Sequence, residues 1–281
     1  MREMTVFTHR HPGDTAATLE LLARRAHEAG VRLRLDREES AKHDLGGAPG
    51  VELCAENKRD VELCVVLGGD GTILRALQSY AGTEVPVFAI NFGEIGFLAT
   101  VERQDAEAGI ARALGGDFEL LHLPGIVVEL DGERRTAIND VAVHRKVGER
   151  VAELAYALDG EEAGSVRCDG LVIATPAGST GYNLANGGPV MAWGVEGFVV
   201  SFIAPHSMTA RALVVAPGDN LSVHNRSREP LDVAIDGRPT GEIPPGESVG
   251  ARFVSDSATL AQLPGTSFYR RLRDKFGRLA S

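Results

Sequence analysis

Hydrophobic positions change their period about two-fifths of the way along the chain. Thr5–Thr8 reads as a strand. Leu19, Leu22, Ala23 and Ala26 then recur at the spacing of a helix that Asp14 caps and Gly30 ends. Val31, Leu33 and Leu35 alternate with Arg32 and Arg34, as residues of a half-buried strand do. Val61–Leu67 is a mostly apolar strand running into Gly68-Gly69-Asp70-Gly71-Thr72. A helix over about Ile73–Tyr80, a strand over Pro86–Ile90 and a helix over about Gln104–Leu114 follow. Strands alternating with helices predict parallel βαβ units covered on both faces.

After about Asp117 the helical period nearly vanishes. Asp131-Gly132 and Asp159-Gly160 mark hairpin turns between β-rich runs. Further strands are predicted at Ala137–Val143, Leu171–Ala174, Phe198–Ile203, Leu213–Val215, Leu221–His224, Leu231–Ile235 and Ser248–Phe253, with a basic amphipathic helix over Arg270–Leu279. The expected architecture is an α/β N-terminal domain with a parallel sheet, about residues 1–116, followed by a β-rich, sandwich-like domain, about 117–253. The segment from about 254 to 281 is expected to pack back on the first domain.

Composition removes several classes. Hydrophobic residues make up 43% and charged residues 24% of 281, near globular averages, with no repeat or low-complexity tract. The 29 basic and 39 acidic residues leave a formal charge of −10, and affinity for nucleic acid needs cationic surface. Small anions stay possible, because backbone N–H groups and a few local arginines can hold them. The apolar run Phe198–Ala204 is far short of a membrane span. His9, Arg10 and His11 stand where a signal peptide needs its apolar stretch. Cys54, Cys64 and Cys168 cannot pair completely and form no C-x-x-C motif. The expectation is a cytoplasmic protein with neither membrane nor nucleic-acid partners. His144 and the other histidines show no metal-ligand spacing, so no protein-held metal is expected.

The strongest chemical signal is Gly68-Gly69-Asp70-Gly71-Thr72. Three glycines in four positions permit positive φ and close backbone approach. Their N–H groups and the following helix N-terminus form a concave donor site for phosphate oxygens. A carboxylate there suits a base that takes a proton from a hydroxyl attacking a phosphoryl group; the bland alternative is that Asp70 caps a helix. No Gly-Lys-[Ser/Thr] occurs, and no G-x-G-x-x-G opens a helix after a strand, so the two commoner nucleotide loops drop out. Arg75 lies where it can reach a phosphate or merely face solvent. Tyr182 offers a flat face for a base or for core packing. Thr180 and Asn183 offer short polar groups for base or ribose edges, and Asn139-Asp140 suits adjacent ribose hydroxyls or an Asx turn.

The glycine turn alone resembles NAD kinases, diacylglycerol and sphingosine-type lipid kinases and, more loosely, phosphofructokinases. The stretch Asp169–Pro189, with Thr175-Pro176-Ala177-Gly178-Ser179-Thr180 and Gly187-Gly188-Pro189, resembles the NAD kinase signature. So do Asn139-Asp140, Asn91-Phe92-Gly93 through Gly96-Phe97-Leu98, and Pro205-His206 with Ala210-Arg211, in the family's order over roughly residues 61–240. That resemblance implies transfer of the terminal phosphoryl group of ATP, or of another phosphoryl donor, to the 2′-hydroxyl of the adenosine ribose of NAD, giving NADP. It implies Mg²⁺ bound with ATP, and a homodimer or homotetramer.

By the same resemblance, Gly68, Gly69, Asp70, Gly71 and Arg75 serve the donor side and catalysis. Asn139, Asp140, Ala177, Thr180, Gly181, Tyr182, Asn183, Leu184 and Ala185 bind the dinucleotide. Arg167, Asp169 and Ala204 approach NAD at a subunit interface, and Arg150 is a weaker basic candidate. Two positions depart from the pattern: Arg238 stands where members often carry Gln, and Ala185 where Ser is usual, which removes a hydroxyl contact. The rival readings are a lipid kinase, which needs membrane attachment, and an NADP sensor without activity.

Overall fold

In the computed structural model, which describes residues 2–43, 45–94 and 96–277, the chain forms two units, Met1–His122 with Ala258–Ser281, and Leu123–Ser257. The elements of the first are β1 (Arg2–Thr8), α1 (Ala16–Glu28), β2 (Val31–Arg34), α2 (Arg37–Lys42), β3 (Val51–Glu52), β4 (Leu63–Gly68), α3 (Asp70–Ser79), β5 (Pro86–Asn91), β6 (Val101–Glu102) and α4 (Ala106–Gly115). Strands β3, β2, β1, β4 and β5 lie side by side in that order, all parallel. Strand β4 is buried along its whole length. Its residues Leu63, Val65 and Leu67 join Met4, Val6, Phe88 and Ile90 in one core with the apolar stripes of α1 and α4. The alternate residues face the other way, where the Tyr80 hydroxyl after α3 donates to Thr5 Oγ1 at 2.7 Å.

Two local features differ from the expectation. Asp14 does not cap α1: it closes a short 3-10 turn, Pro12–Asp14, and Thr15 takes the cap position without a side-chain bond. The six-residue α2 went unread, although Asp36 accepts from Glu39 N at 2.8 Å, the start signal of a capped helix.

The second unit holds β7 (Glu119–Leu130), β8 (Glu133–Ala137), β9 (Asp140–Arg145), β10 (Ala152–Leu158), β11 (Glu161–Cys168), β12 (Gly170–Ala174), the single turn α5 (Tyr182–Ala185), β13 (Phe198–Ile203), β14 (Leu213–Val215), β15 (Leu221–Asn225), β16 (Leu231–Ile235), β17 (Arg238–Ile243) and the first part of β18 (Ser248–Gln262). The end of β18 pairs with β5 in the first unit's sheet, and α6 (Phe268–Phe276) follows. Residues 278 and 279 of the terminal helix expected over Arg270–Leu279 lie outside the described residues.

An antiparallel sheet in the order β14-β13-β12-β9-β16-β17 faces a second one of β11, β10, β15 and Ser248–Ala251 of β18. Val141, Leu171, Ile173 and Val200 from one side and Leu154, Val223 and Val249 from the other share a core, which makes the unit a β-sandwich. Strand β12 is buried on both faces, because Val172 and Ala174 pack on Met191 on the far side. Asp131, Asp159 and Asp236 take φ of 54°, 47° and 48°, each followed by a left-handed glycine, the backbone of a tight two-residue hairpin. The third of these, Asp236-Gly237, carried the same signal and was missed.

Candidate active site

The glycine turn joins the carboxyl end of β4 to α3, which begins three residues earlier than its apolar pattern, at Asp70 itself. Of the two freedoms its glycines allow, positive φ is not used: Gly69 is extended, with φ −90° and ψ −177°. They are required by space instead. A Cβ on Gly68 would meet the Thr72 side chain at 2.6 Å, and one on Gly69 would stand 3.1 Å from Gly93 Cα. The N–H groups of Asp70 and Gly71, in the first turn of α3, have no intrahelical acceptor and remain for an anion.

Asp70 does not cap this helix. Its Oδ2 accepts from Phe97 N and its Oδ1 from Leu98 N, each at 2.9 Å. Two backbone donors therefore fix the plane of the carboxylate and leave lone pairs on both oxygens. Asn91 holds the same loop through Gly93 N, 2.9 Å from its Oδ1, and its amide donates to Glu102 at 2.8 Å.

Arg75 is placed differently from the phosphate contact expected of it. Its guanidinium pairs with Glu38 and Glu39 and stacks over Phe7, 5.1 Å from the ring centre. Glu39 is almost fully buried and also accepts from Thr8 N and Oγ1. A buried carboxylate needs such a partner, so Arg75 is committed there.

In the second unit the predicted dinucleotide residues gather around the start of β9. The carboxylate of Asp236 accepts three backbone N–H groups, from Ile138 at 2.9 Å, Asn139 at 2.7 Å and Asp140 at 2.9 Å. That anchor breaks the strand expected over Ala137–Val143 into β8 and β9 and turns Asn139 out of the ladder. Thr175 N donates to Asn139 O at 2.8 Å, and Gly178 lies so close to the Asn139 backbone that no side chain fits there. Asn139 Oδ1 is buried without a hydrogen-bond partner among the described residues, an acceptor left for a ligand. Asp140 is 8% exposed, and burial, with the neighbouring Asp236 charge, pushes its carboxyl up to about 7.

Tyr182 is 37% exposed and its ring stacks on His144 of β9, with centroids 5.6 Å apart and planes at 20°. It is not a core residue. Burial, with the Asp140 and Asp169 charges adding to it, raises its phenol above the usual range. Asn183 is fully buried: its amide donates to Ser179 O and Pro189 O, both at 2.9 Å, and its Oδ1 is unpartnered among the described residues. It shapes the loop rather than presenting an edge at the surface. Thr180 Oγ1 bonds back to Ala177 O at 3.2 Å, while Gly181 and Ala185 are exposed, Leu184 is half-buried and Ala177 is buried.

Arg167, Asp169 and Ala204 lie together on one edge: Asp169 N donates to Ile203 O, and His206 N to Arg167 O. Arg145 Nε donates to Asp169 Oδ1 at 2.6 Å and holds that carboxyl below its ordinary range. Ala204 is left-handed at φ 43°, a strained position for a residue with a Cβ. Arg238 is exposed at the hairpin beside Asn139-Asp140, whereas Arg150 is exposed in the loop after β9, with nothing that ties it to the cluster. Asp236, His144 and Arg145 escaped the sequence reading. The Asp-Gly hairpin signal pointed to the first, and no local signal to the other two. His9, His11 and Asp14 do bring ligand-type atoms within 4.8 Å of one another, although their spacing had been passed over. His11 and Asp14 are exposed, and His9 Nδ1 lies 3.8 Å from Asp14 and accepts from His11 N at 3.3 Å.

A buried carboxylate and amide at a strand end, beside an exposed aromatic ring, suit a nucleoside. The glycine turn with its fixed carboxylate suits a phosphate. The sequence pattern of the ATP-NAD kinase N-terminal domain matches residues 17–118, and that of the ATP-NAD kinase C-terminal domain matches residues 138–262. NAD kinase 2 of Streptomyces coelicolor is 35% identical over 98% of this chain and 95% of its own. Among solved structures, yeast NADH kinase complexed with NADH has a TM-score of 0.89 at 20% identity, covering 100% of this chain and 89% of that one, a likeness of fold. An NAD kinase from Archaeoglobus fulgidus in complex with ATP has a TM-score of 0.75 at 25% identity, covering 99% and 98%. These likenesses span both units and define the class, a nucleotide-binding phosphotransferase of α/β plus β-sandwich build. The chain belongs to the NAD kinase family.

Proposed function

We propose that the chain phosphorylates NAD: the terminal phosphoryl group of ATP, or of another phosphoryl donor, passes to the 2′-hydroxyl of the adenosine ribose, giving NADP. The observation that carries this reading is the Asp70 carboxylate, fixed by two backbone N–H groups at the head of a glycine turn. In the proposed step Asp70 takes the hydroxyl proton as the 2′-oxygen bonds to phosphorus. The bond from phosphorus to the ADP oxygen breaks, and ADP leaves with that electron pair. Donor phosphates rest on the free N–H groups of the turn. Asn139, Asp140 and the Thr180–Ala185 loop bind the adenosine half of NAD. Arg75 supports this arrangement by neutralising Glu39.

Mg²⁺ fits as an ion carried by the triphosphate, since the carboxylate of Asp70 keeps lone pairs of the hard oxygen type this cation prefers. When bound, it neutralises charge on the phosphoryl oxygens. We place Arg167, Asp169 and Ala204 at NAD held by a neighbouring subunit of a homodimer or homotetramer, a reading supported by their shared edge; a monomer mass in light scattering at working concentration would refute it. Three free cysteines suit the reducing cytoplasm. Among the described residues no helix is long and apolar enough to cross a membrane. The activity is tested by incubating the protein with ATP, Mg²⁺ and NAD and coupling the product to an NADP-specific dehydrogenase. A dehydrogenase signal is expected, and its absence with active controls would defeat the reading.

Two consequences concern the nucleoside side. One face of Tyr182 is occupied by His144, which leaves the other for adenine. Tyr182→Ala is expected to cost about 1–3 kcal/mol in NAD binding, read as a raised KM for NAD with a smaller change for ATP. Equal weakening of both would refute stacking.

The second is a pH dependence. Ionised Asp140 accepts more hydroxyl hydrogen bonds than the neutral acid, so NAD favours the ionised form and its binding releases a proton. With the free carboxyl at about 7, KM for NAD should fall as pH rises from 6 to 8. In Asp140→Asn the profile should be flat. A profile that keeps its slope in that variant would assign the titration to another group.

A further inference from the structure

Helix α6 reaches the loop that holds Asp70 by three routes. Arg271 Nη1 donates to Phe97 O at 2.6 Å and to Ala99 O at 2.5 Å, and its Nη2 donates to Gln262 Oε1 at 2.7 Å. Lys275 Nζ bonds Glu102 Oε1 at 2.6 Å, and the other oxygen of Glu102 takes the Asn91 amide, whose Oδ1 in turn holds Gly93 N. The ring of Phe97 lies between Phe268 and Phe276 of the same helix, with centroids 5.8 and 5.9 Å away. The peptide units of residues 97–99 thus carry two opposed loads. Their N–H groups at 97 and 98 point to the Asp70 carboxylate, and their carbonyls at 97 and 99 point to the Arg271 guanidinium.

Phe97 O and Leu98 N–H belong to one peptide unit, so a cation on that carbonyl polarises one of the two N–H groups that Asp70 accepts. Arg271 is half-buried, and the Asp70 and Glu102 charges oppose the lowering that burial imposes on its guanidinium. Among the described residues its guanidinium bonds the 97–99 loop and Gln262 of β18.

We propose that Arg271 is a positioning residue for the reaction: by clamping the carbonyls of Phe97 and Ala99 it aims the 97 and 98 N–H groups at Asp70, so that the helix-borne cation sets the orientation of the catalytic carboxylate. This rests on the reading of Asp70 as the base, yet it can be tested without turnover.

The test uses the full chain and two readouts. The first is amide hydrogen exchange at Phe97 and Leu98, followed by NMR in the parent, Arg271→Ala and Arg271→Lys. Losing the clamp should cut the protection of both amides by about tenfold or more in Arg271→Ala, with the amides of β4 unchanged. Arg271→Lys, which keeps the charge and donors for the two carbonyls, should restore most of it. The other charged groups at this loop, Glu102 and Lys275, are unchanged in both variants. The second readout is kinetic: kcat should fall about 10–100-fold in Arg271→Ala, with KM for ATP and NAD within about two-fold of the parent. If Arg271→Ala does not fold, Arg271→Gln keeps most of the packing and is read the same way.

Protection of both amides within about two-fold of the parent, or a kcat loss no larger than the loss of folded protein, would overturn the assignment and leave Arg271 as a docking contact. Hydrogen exchange also separates the two readings. If the parent makes no NADP the kinase reading fails, while exchange at the 97 and 98 amides still decides whether Arg271 holds them on the Asp70 carboxylate.

Discussion

Asp70→Asn is expected to lower turnover by about 10²–10⁴-fold, the usual worth of a positioned general base, with KM for NAD little changed. The geometry adds a second, smaller effect. Both carboxylate oxygens accept a backbone N–H, from Phe97 and from Leu98. Asparagine must turn its NH₂ toward one of those donors, leaving a partly buried N–H unpaired at a cost of about 1–3 kcal/mol. The variant should therefore melt somewhat earlier than the parent while remaining folded and able to bind NAD. Turnover within a few-fold of the parent would show that the carboxylate only organises the 97–98 loop.

Asp236→Ala should have the largest effect on the second unit. Its carboxylate is the acceptor for three consecutive N–H groups, those of Ile138, Asn139 and Asp140. The residue also sits at φ 48°, where Asp is tolerated better than Ala. Orphaned donors and strain together should cost about 3–5 kcal/mol in urea denaturation, and the loosened Asn139-Asp140 pair should raise KM for NAD at least about tenfold. Asp236→Asn keeps the shape and two of the bonds, so it should lose less. By removing a negative neighbour it should also move the pH midpoint of NAD binding downward, because Asp140 then ionises more easily. A stability within about 1 kcal/mol of the parent for Asp236→Ala, with KM unchanged, would contradict this anchor.

Much of the architecture was legible because it is written in short-range periods. Apolar spacing marked α1 and α4, and unbroken apolar runs marked β4 and β5, since parallel strands are buried on both faces. Asp-Gly pairs marked two hairpins, because only residues tolerant of positive φ fit those turns. The start of α3 was illegible for the opposite reason: Gly71 and Asp70 are poor helix formers, and tertiary contacts, not propensity, set the helix there. Helix α2 is too short for its period to show.

Within the site, residue types that suit phosphate and ribose were legible, but not what each is bonded to. Asp236 bonds residues 96 to 98 positions earlier, Arg75 pairs with acids 36 and 37 positions before it, and Asp70 is held by amides 27 and 28 positions later. No spacing rule carries such partners. Arg75 thus looked free for a phosphate, and Asn183 for a base edge, until their neighbours were placed.

The central claim is transfer of a phosphoryl group to one particular hydroxyl, and a labelling experiment tests it most directly. With Mg²⁺ and ATP labelled in the terminal phosphate, the protein should move label into NAD. It should leave unlabelled the analogue that lacks the 2′-hydroxyl on the adenosine ribose, while the analogue lacking only the 3′-hydroxyl still accepts label. Label entering the 2′-deoxy analogue, or none entering NAD, would contradict the account.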